Sequence, residues 1–293
     1  MELVVTRNFG NDKSWTLDAY RNTGGYQSLA RVLRDMTPEQ VSDLVKESGL
    51  SGRGGAFFPT GLKWEFVRKD PKTPRYIVIN GDESEPGTYV NRHSLELDPH
   101  LMLEGMIIAA YACNAELGYV YIRGEYGLAH DRTQSAIREA YEAGYLGSDI
   151  LGKTGFNFNV TFRRGAGAYI VGEETALFNS LEGKRGNPRY KPPFPTNVGV
   201  WGLPTAINNV ETLSAVPSIV EHGAEWFQSL GRGEATGTKM YCLSGHIEKP
   251  GLHELPMGVT ARELIYDHGG GVANGRKLKG FKPGGASSAP LTP

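Results

Sequence analysis

Three short apolar runs alternate with helix-forming stretches along this chain, and that alternation most constrains the fold. RYIVIN (75–80), LGYVYIRGEY (117–126) and FNFNVTF (156–162) have strand character. Helices are expected from Asp98-Pro99 to about Cys113 and over 130–143. Strands that alternate with helices are typical of a mainly parallel sheet. The sequence therefore predicts an α/β domain, whose ligands should bind at the carboxyl ends of the strands.

Further patterns flank this alternation. Residues 14–48 have a helical pattern that ends at Gly49, and a capping-box signature follows Thr37. Helices are also expected over 172–182 and from INNVETL (207–213) onward. From about residue 232 short strands and turns prevail, with one capped helix at Thr260. This predicts a small α+β module after the α/β domain.

Charge and apolar content exclude several classes of protein. Lys and Arg total 31 against 32 Asp and Glu, so no excess charge favours nucleic acid or an anionic membrane. The first ten residues lack the apolar region of a signal peptide. The most apolar stretch, 101–122, is interrupted by Glu104, Asn114 and Glu116, which argues against a membrane span.

The two cysteines, Cys113 and Cys242, are far apart and form no Cys-x-x-Cys pair, so neither a zinc site nor an iron–sulfur cluster can be built from the thiols of this chain alone. They are expected to be reduced thiols of a cytoplasmic protein. No metal site is predicted.

The stretch LSGRGGAFFPTGLKW (50–64) is rich in glycine, cations and aromatic rings. It matches neither a Walker A loop nor the dinucleotide fingerprint Gly-x-Gly-x-x-Gly. Two interpretations remain open. The bare backbone, with Arg53 and Lys63, can bind an anion while the rings stack on a flat ligand. Alternatively, it is a mobile loop whose aromatics pack into the core.

Two acidic segments and one pair of asparagines also allow two interpretations each, one structural and one functional. NGDESEPG (80–87) is either a solvated turn or a site for the uncharged part of a ligand, because carboxylates are poor partners for phosphate. Glu173 and Glu174 begin a helix and either complement its dipole or contact a ligand. Asn208 and Asn209 precede another helix and are either an ordinary cap or part of a phosphate site.

Five collinear motifs carry a family resemblance: SGRGGAFFPTGLKW, NGDESEPGT, RGAGAYIVGEETAL, KPPFPT and GLPTAINNVETL. In this order they resemble the NADH-binding flavoprotein subunit of respiratory complex I, the 51-kDa-type subunit. Diaphorase subunits of NAD-linked hydrogenases and formate dehydrogenases share the pattern. The resemblance implies an N-terminal helical segment and glycine-rich loop (1–61), a Rossmann-like FMN- and NADH-binding domain (62–231) and an incomplete β-grasp module (232–293). In the family a helical bundle with a four-cysteine [4Fe–4S] site follows, so the chain is expected to be truncated before it.

The resemblance also implies site residues. Those expected around FMN are Gly52, Arg53, Gly54, Gly55, Lys63, Asn80, Asp82, Glu83, Tyr169, Gly172, Glu173, Glu174, Asn208, Asn209 and Thr212. Those expected around NADH are Phe58, Phe66, Glu85, Glu174, Lys191 and Phe194. Asp82 is expected near the isoalloxazine, and Asn208, Asn209 and Thr212 near the FMN phosphate. The implied chemistry is hydride transfer from nicotinamide C4 to flavin N5, which needs alignment and no side-chain acid or base.

The implied partners are NADH, the thioredoxin-like [2Fe–2S] subunit and the large iron–sulfur subunit of complex I. The implied place is the cytoplasmic side of the inner membrane, peripheral and without insertion, and no nucleic acid is expected. Two alternatives remain: a diaphorase subunit of a soluble hydrogenase or formate dehydrogenase, and a non-catalytic nucleotide-binding or assembly module. The last is raised by Phe57, which stands where the family usually has glycine and is expected to disturb the loop and NADH binding.

Overall fold

The computed structural model describes residues 2–152 and 155–293. Its strands are β1 (Tyr76–Gly81), β2 (Leu117–Ile122), β3 (Asn159–Arg164), β4 (Thr205–Asn209), β5 (Thr238–Leu243) and β6 (Gly251–Pro256). Its α-helices are α1 (Leu17–Asn22), α2 (Gln27–Asp35), α3 (Pro38–Glu47), α4 (Thr60–Lys69), α5 (Val90–Leu97), α6 (Pro99–Cys113), α7 (Gly127–Glu142), α8 (Glu174–Leu181), α9 (Val210–Ser214), α10 (Val216–His222), α11 (Ala224–Ser229) and α12 (Ala261–Glu263).

Strands β1 to β4 form one parallel sheet in the order β3-β2-β1-β4. At its carboxyl edge, Asn80 of β1 lies beside Tyr121 of β2 and Asn209 of β4. The predicted α/β class with a mainly parallel sheet is confirmed. Because the chain runs from β1 outward to β3 and then returns to the other side of β1, the strand order reverses between β1 and β4. Ligands of open α/β sheets bind outside such a point.

The sheet is buried on both faces, which explains the near-continuous apolar runs of its central strands. Ile77 and Ile79 of β1 pack into the main core, whereas Val78 packs on the opposite face against Leu177 and Phe178 of α8. Helix α6 lies within the main core and is almost wholly buried. The predicted start of α6 is confirmed, because the Asp98 side chain caps it by accepting a hydrogen bond from the Leu101 backbone N–H.

The expected helix over 14–48 is divided in three, because the chain breaks between α1 and α2 and again at Thr37, where the expected capping box begins α3. The expectation that INNVETL opens a helix was wrong for its first residues. Ile207–Asn209 belong to β4, which pairs with β1, and the helix begins only at Val210. Helices α4, α5, α10 and α11 were not predicted.

The last part of the chain contains the antiparallel pair β5–β6 and the capped helix α12, in agreement with the predicted α+β character. Thr260 and Glu263 form the capping box of α12. The apolar core of the molecule extends from Val4 to Met240, across both proposed boundaries. The division at residues 61 and 231 therefore stays a prediction.

The N-terminal segment is held against β6 by one buried carboxylate. Glu254, only 5% exposed, accepts hydrogen bonds from the backbone N–H groups of Val4, Val5 and Thr6 at 2.8–3.2 Å. It also accepts hydrogen bonds from the hydroxyls of Thr6 and Thr238. Glu254 therefore joins residues about 250 positions apart in the chain.

Across residues 2–152 and 155–293, helices that combine the length and the apolarity needed to cross a bilayer do not occur. Both cysteines are free thiols; Cys113 is buried beside α4 and Cys242 is half-buried.

Candidate cofactor site

A cavity of about 1610 Å³ opens at the carboxyl edge of the sheet, where the strand order reverses. Its walls come from the glycine-rich loop, from the segments that follow β1 and β4, from the loop before α8 and from the C-terminal part of the chain. Typical ligand pockets have volumes of about 300–1,000 Å³. The cavity therefore has room for more than one ligand of ordinary size.

The structure brings together nearly all of the expected site residues. The expected residues that line this cavity are Gly52, Arg53, Gly54, Gly55, Phe58, Lys63, Asn80, Asp82, Glu83, Glu85, Tyr169, Gly172, Glu173, Glu174, Lys191, Asn208, Asn209 and Thr212. Phe66 and Phe194 do not line it. Phe66 is close by, since its ring centroid lies 6.5 Å from that of Phe58, but Phe194 is 56% exposed and outside the lining.

The glycine-rich loop is fixed against the start of α9. The Arg53 backbone N–H donates to Thr212 Oγ1 over 2.8 Å. A Cβ atom at Gly54 would lie 3.3 Å from the Asn209 Cβ, so this close approach favours glycine. The Arg53 guanidinium is mostly buried and donates to Ser51 and to the Thr236 carbonyl. It therefore anchors the loop, and the backbone faces the cavity.

Lys63 projects from α4 to the edge of the sheet. Its Nζ atom donates to the Ile207 carbonyl of β4 over 2.7 Å. Burial lowers the pKa of the Lys63 ammonium from its usual value. Lys63 therefore places a cation in the wall of the cavity, at the edge of the sheet.

Two buried oxygens at the edge of the sheet are open to a ligand. Asp82 Oδ2 and Asn208 Oδ1 are buried and have no hydrogen-bond partner among residues 2–152 and 155–293. Burial raises the pKa of the Asp82 carboxyl to about 6. Leaving a buried polar atom unpaired costs free energy, so both atoms are oriented for a donor that is not part of the protein. Asn80, by contrast, donates to the Gly172 carbonyl over 2.9 Å.

Glu83 and Glu173 line the cavity but use much of their hydrogen-bonding capacity on helix ends. Glu83 accepts hydrogen bonds from the backbone N–H groups of Asn91 and Arg92 in α5. Glu173 Oε2 accepts from Thr175 and Ala176 in α8, as the dipole interpretation anticipated. The other oxygen, Glu173 Oε1, lies 3.0 Å from Lys191 Nζ.

Lys191 joins the two acids that begin α8. Its ammonium forms ion pairs with both Glu173 and Glu174. The KPPFPT segment is thereby held to the start of α8, at the rim of the cavity.

Phe57 adopts the strained conformation expected from its place in the loop. Its backbone has φ of 52°, in the left-handed region, and its side chain is 45% exposed. The ring lies 5.7 Å from the Lys239 Nζ of β5, a cation–π distance. Phe57 thus contacts β5 at the cavity wall.

The C-terminal wall of the cavity was missed by sequence reasoning. Residues 276–286 line it, and Ser287 lies against Glu85, a residue assigned from the resemblance to the NADH site. The segment FKPGGASSAP has no periodicity and no recognised motif. Only its long-range contacts show that it belongs to the site.

Within the part of the chain that the structure describes, His, Cys, Asp and Glu side chains form no group of three or more placed to hold a metal ion. The geometry instead combines a bare loop, open acceptors and aromatic rings at a sheet edge. Together, the parallel sheet and this site define an α/β protein that binds a nucleotide-type cofactor.

Comparison with known proteins gives the family. Residues 45–218 match the family model described as the Nuo51 FMN-binding domain, and the chain belongs to this complex I 51-kDa family. It is 54% identical over 292 residues to an NADH-quinone oxidoreductase subunit of Rhizobium meliloti (strain 1021). It is 51% identical over 277 residues to the corresponding NADH-quinone oxidoreductase subunit of Salmonella typhimurium.

The solved structure of an NAD⁺-reducing [NiFe]-hydrogenase in the H₂-reduced state is also similar. It superposes with a TM-score of 0.82 at 36% identity, over 94% of this chain and 46% of the hydrogenase chain. The sequence matches cover 100% and 94% of this chain, but 69% of the Rhizobium and 62% of the Salmonella relative. The chain is therefore substantially shorter than the relatives that it matches.

Proposed function

We propose that this chain binds FMN and NADH in the cavity and aligns them for hydride transfer, as the electron-input subunit of an NADH–quinone oxidoreductase. The observation that carries the proposal is the pair of unpartnered buried acceptors, Asp82 Oδ2 and Asn208 Oδ1, opposite a glycine loop that closely approaches Asn209. Membership of the Nuo51 FMN-binding family supports it.

The residues fit FMN on charge as well as on shape. Asn209 Oδ1 and Thr212 Oγ1 accept hydrogen bonds from the protein, so the Asn209 amide NH₂ and the Thr212 hydroxyl are donors for an anion, and we assign the phosphate to them, beside the glycine loop. Asp82 Oδ2 accepts a hydrogen bond from a ring or ribityl donor. When bound, FMN supplies the hydride acceptor, and the protein supplies position and electrostatics.

NADH is assigned to the outer half of the cavity. Phe58 and Phe66 form a tilted pair whose exposed faces can stack on adenine. Lys191 is a cation of the cavity lining, and in this arrangement Glu85 accepts the carboxamide N–H of the nicotinamide. The role implied for Phe194 would need its loop to move toward the cavity.

The test is the visible absorbance of the FMN-reconstituted protein before and after anaerobic NADH. Retained flavin that bleaches supports both sites. Flavin that is retained without bleaching contradicts the NADH site and favours the non-catalytic alternative raised by Phe57. A folded protein that retains no flavin contradicts the FMN assignments.

A peripheral place in a multi-subunit assembly is part of the proposal. The NADH-quinone oxidoreductase names of the relatives support complex I, with the [2Fe–2S] and large iron–sulfur subunits as neighbours on the cytoplasmic side of the membrane. The structural likeness to an NAD⁺-reducing hydrogenase favours a diaphorase as the second candidate. Its identity of 36% is lower than the 54% to the Rhizobium relative, so complex I is preferred.

A further inference from the structure

We propose that Ser287, on a loop of the C-terminal segment, is a positioning residue that orients the Glu85 carboxylate toward the nicotinamide carboxamide. The inference rests on the proposed function and adds to it a residue outside the five collinear motifs.

The contacts are direct. The Ser287 backbone N–H donates to Glu85 Oε1 over 2.8 Å, and its hydroxyl donates to Glu85 Oε2 over 2.8 Å. The Tyr169 hydroxyl donates to Glu85 Oε2 over 2.5 Å. Glu85 therefore receives donors from the loop before α8 and from the C-terminal loop, on opposite sides of its own segment.

The loop is built to bring Ser287 to this place. It is closed by the bridge between Phe281 and Leu291, whose two backbone hydrogen bonds measure 2.8 and 2.9 Å. Inside it, Ser288 Oγ accepts from the Gly284 N–H and donates to the Gly285 carbonyl. The loop thus has its own hydrogen bonds and does not depend on Glu85 for its shape.

Gly285 permits the close approach between loop and carboxylate. Its φ is 82°, and a Cβ atom there would lie 2.6 Å from the Glu85 Cγ. A side chain at this position would push the loop away from Glu85. The absence of one lets Ser287 reach both carboxylate oxygens.

The contacts leave Glu85 able to bind an amide. A carboxylate offers about four acceptor positions, and Tyr169 and Ser287 together use three, of which two are on Oε2. Acceptor capacity thus remains on Oε1. A nicotinamide carboxamide has an N–H to donate there, so Ser287 fixes the carboxylate without displacing the substrate.

The experiment measures binding, not turnover. Wild type and Ser287→Ala, both loaded with FMN, are titrated calorimetrically with NAD⁺ and with its 3-acetylpyridine analogue, whose acetyl group has no N–H. Ser287→Ala should weaken NAD⁺ binding about fivefold, less than the full value of a hydrogen bond to a charged group, because two of the three bonds that orient Glu85 remain. Binding of the analogue should change less than about twofold, because it makes no bond that depends on Glu85 orientation.

Two variants serve as controls. Ser287→Thr keeps the hydroxyl and should restore NAD⁺ affinity. Thr292→Ala removes a hydroxyl just beyond the Phe281–Leu291 bridge, outside the loop, so both affinities should match those of wild type.

The pH dependence of NAD⁺ binding distinguishes the proposed role of Ser287 from a merely structural one, because loss of structure alone would not shift it. The hydrogen bonds from Tyr169 and Ser287 hold the pKa of Glu85 below its usual value. Tyr169 is the titratable partner of Glu85, and Lys282, the cation on the loop, donates to the Ala286 carbonyl. In Ser287→Ala the pKa of Glu85 should rise, so NAD⁺ binding should be lost at a higher pH on acidification than in wild type or Thr292→Ala.

Several outcomes would overturn the inference. Tighter NAD⁺ binding by Ser287→Ala would show that the loop obstructs the site, and equal weakening of NAD⁺ and the analogue would show a general loss of structure. Unchanged affinity and an unshifted acid limb would show that Ser287 is dispensable. A wild type that retains FMN but binds neither nucleotide would instead refute the proposed NADH site, and this inference with it.

Discussion

Phe57 is a residue whose side chain disfavours the backbone conformation that it adopts. With φ of 52° it carries a conformational penalty that glycine would not, yet its ring reaches Lys239 on β5. Left-handed backbone costs a residue with a Cβ roughly 1–2 kcal/mol, and an exposed cation–π contact contributes about 0.5–1 kcal/mol. The strain is therefore larger than the contact, so Phe57 imposes a net conformational cost on the loop, while the expected effect on NADH binding stays a prediction.

Two substitutions at Phe57 separate the energetic cost of the backbone strain from the contribution of the cation–π contact. Phe57→Ala loses the cation–π contact and keeps the strain, whereas Phe57→Gly loses both. We expect Phe57→Gly to be more stable than Phe57→Ala by about 1 kcal/mol in urea unfolding, because the relief of left-handed strain exceeds the added entropy of the unfolded glycine.

Phe58 supplies the matched control, since it is not among the residues with positive φ. At Phe58 the order should reverse, with alanine more stable than glycine. The same order at both positions would contradict the strain at Phe57.

At the scale of elements, the sequence predicts what is long and periodic and misses what depends on pairing. Helix α6 is recognisable from its cap at Asp98 and its apolar length, and β1 and β2 from their apolar runs. Strand β4 is only five residues long and ends in two asparagines, so its own composition does not favour a strand. Strand β4 forms because it lies beside β1, and the hydrogen bonds between the two strands stabilise it.

The residues of the site, like the helices and strands, divide into those that the sequence predicts and those that only the folded structure reveals. The residues of the five motifs were identified because they lie in recognisable segments, and the structure brings most of them into one cavity. The side chain of Glu83 turns to α5, which no spacing in the sequence reveals. Residues 276–286 were missed for the same reason, since only packing places this glycine-containing stretch on the cavity wall and brings the next residue, Ser287, to Glu85.

The start of α9 offers a test that separates folding from cofactor binding. The Asn209 side chain caps α9 by accepting a hydrogen bond from the Glu211 N–H over 2.9 Å. Without FMN, Asn209→Ala should lower the free energy of unfolding by about 1 kcal/mol, while Asn209→Asp should be neutral because aspartate caps equally well. Urea unfolding measures both.

With FMN the order should change. Asn209→Asp places a negative charge beside the proposed phosphate position, so FMN affinity should fall about tenfold or more in a fluorescence titration. Undiminished FMN affinity in Asn209→Asp would move the phosphate away from Asn208, Asn209 and Thr212.

At the scale of the whole molecule, Glu254 joins the N-terminal segment to the β5–β6 pair. Glu254→Gln would place an amide NH₂ against donors of Val4, Val5 or Thr6 and remove the charge that they share. The free energy of unfolding should fall by about 2–4 kcal/mol, because buried donors lose a charged acceptor.

The comparison variant is Thr238→Val, which removes one hydroxyl donor to Glu254 and leaves the carboxylate in place. It should cost about 1 kcal/mol. A Glu254→Gln loss no larger than that of Thr238→Val in the same denaturant series would show that the N-terminal segment is held by other contacts.

The reach of Glu254 also imposes an order on assembly during synthesis. Val4 and its carboxylate partner are 250 positions apart, so the segment around Val4 must wait until β6 has been made. Translation proceeds at about 5–20 residues per second, which makes the wait roughly ten to fifty seconds. Throughout that interval the N–H groups of Val4, Val5 and Thr6 are left to water or to a chaperone. A segment that leaves the ribosome well before the parallel sheet is complete thus reaches its native place only after that sheet has been made.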